Sequence, residues 1–122
     1  MLYKTYGQTG KEVSVVGFGG MRFPGPQNID TNAELILHAH RRGINYFDTA
    51  PYYCDDRSEE SFGVAIKHLP PGSFYISTKC GEADGAKLRA SLERSLQRLG
   101  VPRIHFFHLW CLLRPGEWDD NR

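Results

Sequence analysis

Apolar residues along this chain recur with two rhythms, a period near two and a period near 3.6. LYKTY (2–6) alternates, GQTG (7–10) supplies turn formers, and EVSVVGFG (12–19) resumes with valines suited to a pleated surface. That arrangement predicts a hairpin. GGMRFPGPQN follows as loop, broken by Gly20, Pro24, Gly25 and Pro26. Thr31 and Glu34 have the spacing of a capping box and Gly43 stands where a closing glycine belongs, so a helix is predicted between them, with Leu35, Ile36 and Ala39 as a modest apolar stripe. Residues 45–48 read as a strand. A second helix from about Ser58 places Phe62, Ala65, Ile66 and Leu69 at i, i+3, i+4 and i+7, and Pro70 and Pro71 end it. FYISTKC (74–80) is a third strand. Residues 81–101 give the strongest helical pattern, with Leu88, Leu92, Leu96 and Leu99 on one side, charges on the other and Gly100 closing it. IHFFHLW (104–110) is a fourth strand, and RPGEWDDNR has no period of its own.

After the hairpin the order is β-α-β-α-β-α-β, which implies a parallel sheet with right-handed crossovers. Two architectures share it, an open doubly wound sheet and a (β/α)8 barrel. The open sheet predicts a glycine fingerprint running from the first strand straight into a helix. In GFGGMRFPGP, Arg22 holds the place of the third glycine, and two prolines delay the helix. The barrel is therefore favoured. A full barrel takes about 250 residues, so a 122-residue chain accounts for half of one. The division expected is a hairpin over 2–14, βα units over 15–113 and a polar tail over 114–122.

Composition narrows the picture further. A chain that is 40% apolar and 24% charged has the make-up of one soluble globular domain. No apolar run reaches the roughly 20 residues of a membrane span, and the start, MLYKTYGQTGK, is too polar for a secretory signal. A net charge of +1 argues against a broad nucleic-acid footprint. Cys54, Cys80 and Cys111 are odd in number and far apart, without metal-ligand spacing. Reduced thiols in a cytoplasmic protein, with no metal site, are the plain reading.

Chemistry in parallel α/β folds gathers at the C-terminal ends of strands. Those ends carry Asp48 with Tyr52 and Tyr53 just beyond, then Lys79, then His108. Alternation sends Asp48, Lys79 and His108 inward with Tyr46, Ser77 and Phe106, leaving Phe47, Ile76, Thr78 and Phe107 for the helix layer. A phenol beside an ammonium, with a carboxylate holding the ammonium and an imidazole aiming a carbonyl oxygen, makes a general acid for an oxygen that gains negative charge. Plainer roles exist for each: a turn cap for Asp48, a rim lysine for Lys79, a core histidine for His108, packing for Tyr53, with Tyr52 as the other choice of reactive ring. His38, His40, His68 and His105 lack such company and read as surface. No side chain here donates two electrons, so a reduction would draw its hydride from outside the polypeptide.

The opening LYKTYGQTGKEVSVVGFGGMRF, then GINYFDTAPYY with SEE and FG, FYISTK, and LRASLERSLQRLGV before HFFHLW together resemble the aldo-keto reductases, in order and spacing, over residues 2 to about 112. The details lean toward bacterial and archaeal members. The resemblance implies a (β/α)8 barrel plugged by an N-terminal hairpin, here its N-terminal half with about four parallel strands and three helices. It implies reduction of aldehydes and ketones by NADPH. It assigns the catalytic acid, phenol, ammonium and imidazole to Asp48, Tyr53, Lys79 and His108. It brings Gly19, Gly20, Met21 and Asp48 to the cofactor. Cys54 departs from the glycine that many relatives carry after the tyrosine. The family's grip on pyrophosphate and 2′-phosphate belongs to strands five to eight, so two expectations follow. One is a truncated NADPH-dependent reductase of little activity alone. The other is a non-catalytic half-barrel that assembles, for instance as a homodimer, through its exposed sheet edges.

Overall fold

The computed structural model describes residues 1–114, 116 and 117, so the expected polar tail over 114–122 lies largely outside the described residues. Strands β1 (Tyr3–Thr5) and β2 (Glu12–Ser14) pair antiparallel, with Tyr3 opposite Ser14. Gly7 and Gly10 take the positive φ values that this turn needs. The strand expected over 12–19 is interrupted. Ser14 accepts the Asn45 amide at its Oγ (3.1 Å) and donates its own amide to Asn45 Oδ1 at 2.7 Å. This pins the hairpin to the head of the strand that starts at Tyr46, and extended pairing resumes only at β3 (Phe18–Gly19).

Strands β3, β4 (Tyr46–Asp48), β5 (Tyr75–Cys80) and β6 (Phe106–Leu109) lie in that order in one parallel sheet. They are joined by α1 (Ile29–Arg41), by the single turn α2 (Tyr53–Asp56) with α3 (Ser58–Ile66), and by α4 (Gly85–Leu99). After the hairpin, the described chain follows the (β/α)8 pattern through three βα units and a fourth strand. The period-two division holds. Phe47, Ile76 and Thr78 are fully buried toward the helices with Ile36, Phe62 and Leu99, and each buried phenylalanine contributes about 2 kcal/mol by removal from water. On the opposite face the large Tyr46 and Phe106 are accommodated because Tyr6, from the hairpin turn, stacks on Tyr46 at a ring separation of 5.8 Å and meets Phe106 at a tilt at 4.4 Å. Burial pushes the Tyr46 phenol up to about 12.

Three local expectations are corrected. Helix α1 starts at Ile29, so Thr31 lies inside it and the capping box with Glu34 does not form. The carbonyl of Gly25 accepts both the Asn28 amide (2.9 Å) and the Asn32 side chain (3.0 Å), which winds the chain into helix earlier. Its buried face is Asn32, Ala33, Ile36 and Ala39, while Leu35 is exposed. In α4 the most buried positions are Ser91, Ser95 and Leu99, with Leu88, Leu92 and Leu96 only half buried on the flank. Small residues are what let this helix sit close. A methyl group on Gly63 of α3 would come within 2.3 Å of the Arg98 carbonyl oxygen. As expected, Gly100 closes α4 in the left-handed conformation, and Asp84 caps its start by accepting the Lys87 amide at 2.9 Å. None of the described helices is long and apolar enough to cross a membrane.

Candidate active site

Parallel pairing aligns strands residue by residue, so side chains in register share a face. Gly19 pairs with Asp48, Asp48 with Ser77, Ser77 with Phe106, and Lys79 with His108. That row sets the geometry of the rim. The Lys79 ammonium donates to Asp48 Oδ2 at 2.7 Å and to the Tyr53 hydroxyl at 3.3 Å. Asp48 Oδ1 accepts the Ser77 hydroxyl at 2.6 Å. Both carboxylate oxygens are thus engaged inside the site, which removes the turn-capping role that Asp48 could have had. The lysine side chain is 11% exposed and that of Asp48 32%, so this ion pair is shielded mainly on the lysine side and is less screened than a fully exposed pair. His108 is half buried on the same face, one strand over. Its ring makes no direct bond to the other three.

The two tyrosines are placed differently. Tyr52 is 70% exposed, whereas Tyr53 is drawn in against Lys79 and meets Trp110 edge-on, ring centroids 6.3 Å apart. Trp110 and Ser77 were not singled out for the site from sequence. The alternation that turned Ser77 inward was the available signal for it, and the same alternation along 104–110 puts Trp110 on the face of Phe106 and His108, although β6 itself ends at Leu109.

The turn that delivers Tyr53 is unusual. Tyr52, Cys54, Asp55 and Asp56 all have positive φ without being glycine. Left-handed backbone explains why glycine suits the position of Cys54, at φ 55 and ψ 56. The cysteine is buried, and its Sγ accepts the Phe23 amide at 3.4 Å. Burial pushes the Asp56 carboxyl up, but hydrogen bonds from Arg98 and the Tyr52 amide outweigh it and hold Asp56 below the ordinary carboxylate value. Beneath this turn Glu59 is buried at 1% exposure and accepts the Thr78 hydroxyl at 2.8 Å. Its other oxygen faces Arg98 Nε at 3.7 Å, an ion pair too long to count as a hydrogen bond for either atom.

Of the residues expected near a cofactor, Gly19 has open space where a side chain would stand, so the backbone at the head of β3 offers a bare surface beside Asp48. Gly20 is different. A Cβ there would lie 2.3 Å from Ser58 Oγ and 2.4 Å from the Phe62 ring, and its amide donates to the Asp48 carbonyl at 2.8 Å. Packing alone demands glycine at that point. Met21 is exposed next to it. The bare Gly19 backbone and the adjoining carboxylate fit a flat nicotinamide and its ribose. Cys54, Cys80 and Cys111 are free thiols. His105 is not the surface residue that the sequence suggested: its Nδ1 accepts the Ile76 amide at 3.2 Å.

Residues 15–112 match the family model for the aldo/keto reductase family. L-galactose dehydrogenase of Arabidopsis thaliana is 36% identical over 117 residues, covering 86% of this chain and 36% of its own. The structure of a thermostable aldo-keto reductase, Tm1743, bound to the inhibitor epalrestat, superposes with a TM-score of 0.79 at 31% identity, over 89% of this chain and 42% of that one. An aldo-keto reductase from Klebsiella pneumoniae in complex with NADPH superposes at 0.70 with 26% identity, over 80% of this chain and 35% of its own. The chain thus spans about a third of the length of the curated relatives that it matches. With this family match spanning the parallel sheet and its rim, the chain belongs to the aldo/keto reductase family.

Proposed function

We propose that this chain supplies the proton-handling side of an NADPH-dependent reduction of small aldehydes or ketones to alcohols. What carries the reading is the continuous hydrogen-bonded chain Ser77–Asp48–Lys79–Tyr53 at one strand-end rim. The Tyr53 hydroxyl is the general acid that protonates the carbonyl oxygen. Lys79, its charge held by Asp48, stabilises the phenolate left behind. His108 donates a hydrogen bond to the same oxygen and aims it at the phenol. NADPH, when bound, supplies the hydride that reaches the carbonyl carbon. Gly19, Gly20 and Met21 would hold its nicotinamide, and Asp48 would also meet its ribose.

The 122-residue chain by itself is expected to bind NADPH weakly or not at all. Nicotinamide fluorescence, followed by absorbance decay with an aromatic aldehyde, measures both binding and turnover. The chemistry is tested separately in a chimera in which residues 1–112 replace the matching segment of the thermostable relative. We expect NADPH-dependent turnover there, lowered about 10²–10⁴-fold by Tyr53→Phe. A chimera that turns over equally well with Tyr53→Phe refutes the assignment.

A second reading has its own observation. Both outer strands are bordered by exposed apolar side chains, Val15 and Val16 beside β3 and Leu109, Trp110, Leu112 and Leu113 at β6. Pairing of the two edges between copies would cover them. A monomer at all concentrations in sedimentation removes this reading.

A further inference from the structure

The turn around Tyr53 carries four non-glycine residues at positive φ, namely Tyr52 (69°), Cys54 (55°), Asp55 (53°) and Asp56 (63°). Such backbone persists only where the surroundings over-determine it. Part of the restraint is local. Asp56 Oδ1 accepts the Tyr52 amide at 3.1 Å, closing the turn on itself. Cys54 is held by the Phe23 amide at its Sγ, and a further hold arrives from the far end of α4. Arg98 Nη1 donates to Asp56 Oδ1 at 2.6 Å, and Nη2 donates to the Asp56 main-chain carbonyl. One guanidinium therefore grips both the side chain and the backbone of the residue that ends the turn, a two-point hold that its planar fork provides and an ammonium does not.

Arg98 is itself fixed from two directions. Its backbone carbonyl lies against Gly63, where no Cβ could fit. Its Nε faces the buried Glu59, whose other oxygen is held by Thr78, the neighbour of Lys79 on β5. The guanidinium side chain is only 16% exposed. Thus a polar relay, Asp56–Arg98–Glu59–Thr78, links the tyrosine turn to the strand that carries the lysine. It passes behind the sheet and shares no atom with the Asp48–Lys79–Tyr53 chain at the rim.

We infer that Arg98 is a positioning residue. It locks the left-handed turn so that the Tyr53 hydroxyl stays beside Lys79 and its ring stays against Trp110. The inference builds on the reading of Tyr53 as the acid, but its test does not use turnover.

The test is NMR on the isotopically labelled 122-residue chain. Arg98→Met keeps the aliphatic stem and removes the fork; Arg98→Lys keeps the charge. In Arg98→Met the Tyr53–Trp110 ring contact is expected to fade, and amides of residues 52–57 should exchange about tenfold faster, while Phe62 and Ala65 remain protected. Arg98→Lys should not restore the ring contact. If Arg98→Met fails to fold, Asp56→Ala, which alters a carboxylate that is 56% exposed, should loosen the same segment selectively. An unchanged ring contact, or exchange that rises equally through α3, overturns the proposal. Should Tyr53→Phe leave the chimera active while these signals change as expected, the functional assignment fails and the clamp stands.

Discussion

Replacing Gly63 by alanine sets two principles against each other. Gly63 lies inside α3, where the exchange should stabilise an exposed helix by about 1 kcal/mol. Here it should do the reverse. The added carbon would sit 2.3 Å from the Arg98 carbonyl oxygen and 3.4 Å from the carbonyl carbons of Arg98 and Leu99. The obstacle is backbone, so no side-chain rotation relieves it, and α3 and α4 must separate by roughly 0.7 Å to bring the contact back to about 3.0 Å. A gap of that size forfeits about a quarter to a half of the dispersion energy of the contacts that it opens, and overpacking of this kind costs about 3 kcal/mol at its upper end. The net expectation is a loss of about 2 kcal/mol, or a urea midpoint lower by about 1 M. Gly85, at the start of α4 with nothing within 4 Å of the corresponding position, is the matched control; Gly85→Ala should be neutral or mildly stabilising. Urea unfolding followed by circular dichroism reads both variants. A Gly63→Ala protein as stable as the parent would refute the close-packing argument.

Two more expectations concern buried polar groups. Thr78→Val keeps the shape of a fully buried side chain but removes the one short hydrogen bond that the Glu59 carboxylate accepts among the described residues, so it should destabilise by about 2 kcal/mol in the same urea assay; a neutral result would mean that Glu59 is satisfied otherwise. Burial, and then the charges of Arg103 and Lys11, hold His105 below the ordinary imidazole value of 6.5. The unfolded chain therefore binds the extra proton first as the pH falls. Stability should be full above about pH 7, decline as the pH drops through 6.5, and level off below the folded value. Urea midpoints between pH 8 and 5 should show a smaller decline in His105→Gln, and an identical slope would remove His105 as the cause.

Alternation along residues 45–48 and 74–80 carried most of what the sequence could tell about the site. With a period of two, fixing Phe47 and Ile76 as core obliges Asp48 and Lys79 to face the other way, and the structure obeys. The α3 stripe was equally legible because Phe62, Ala65, Ile66 and Leu69 are all buried. Patterns of hydrophobicity failed where contact is made by small or polar residues. The inner face of α4 is built on Ser91 and Ser95, which no apolar count would select. Helix α1 began early because of a carbonyl at Gly25 that acts over a distance of seven residues. The Glu59–Arg98–Asp56 relay joins positions up to 42 residues apart, and nothing in the local sequence announces it.

The strand register has a consequence for how such a protein can change over generations. Asp48 and Lys79 on the rim are each one step along the chain from a fully buried neighbour, Phe47 and Thr78 respectively. Inserting a single codon in β5 upstream of Lys79 would swing the ammonium into the hydrocarbon interior and bring Thr78 out in its place. Point substitutions on the solvent-facing sides of the helices leave this lineage room to drift. Length changes within the inner strands do not, so insertions are free to arise in the connecting loops while the strands keep their count.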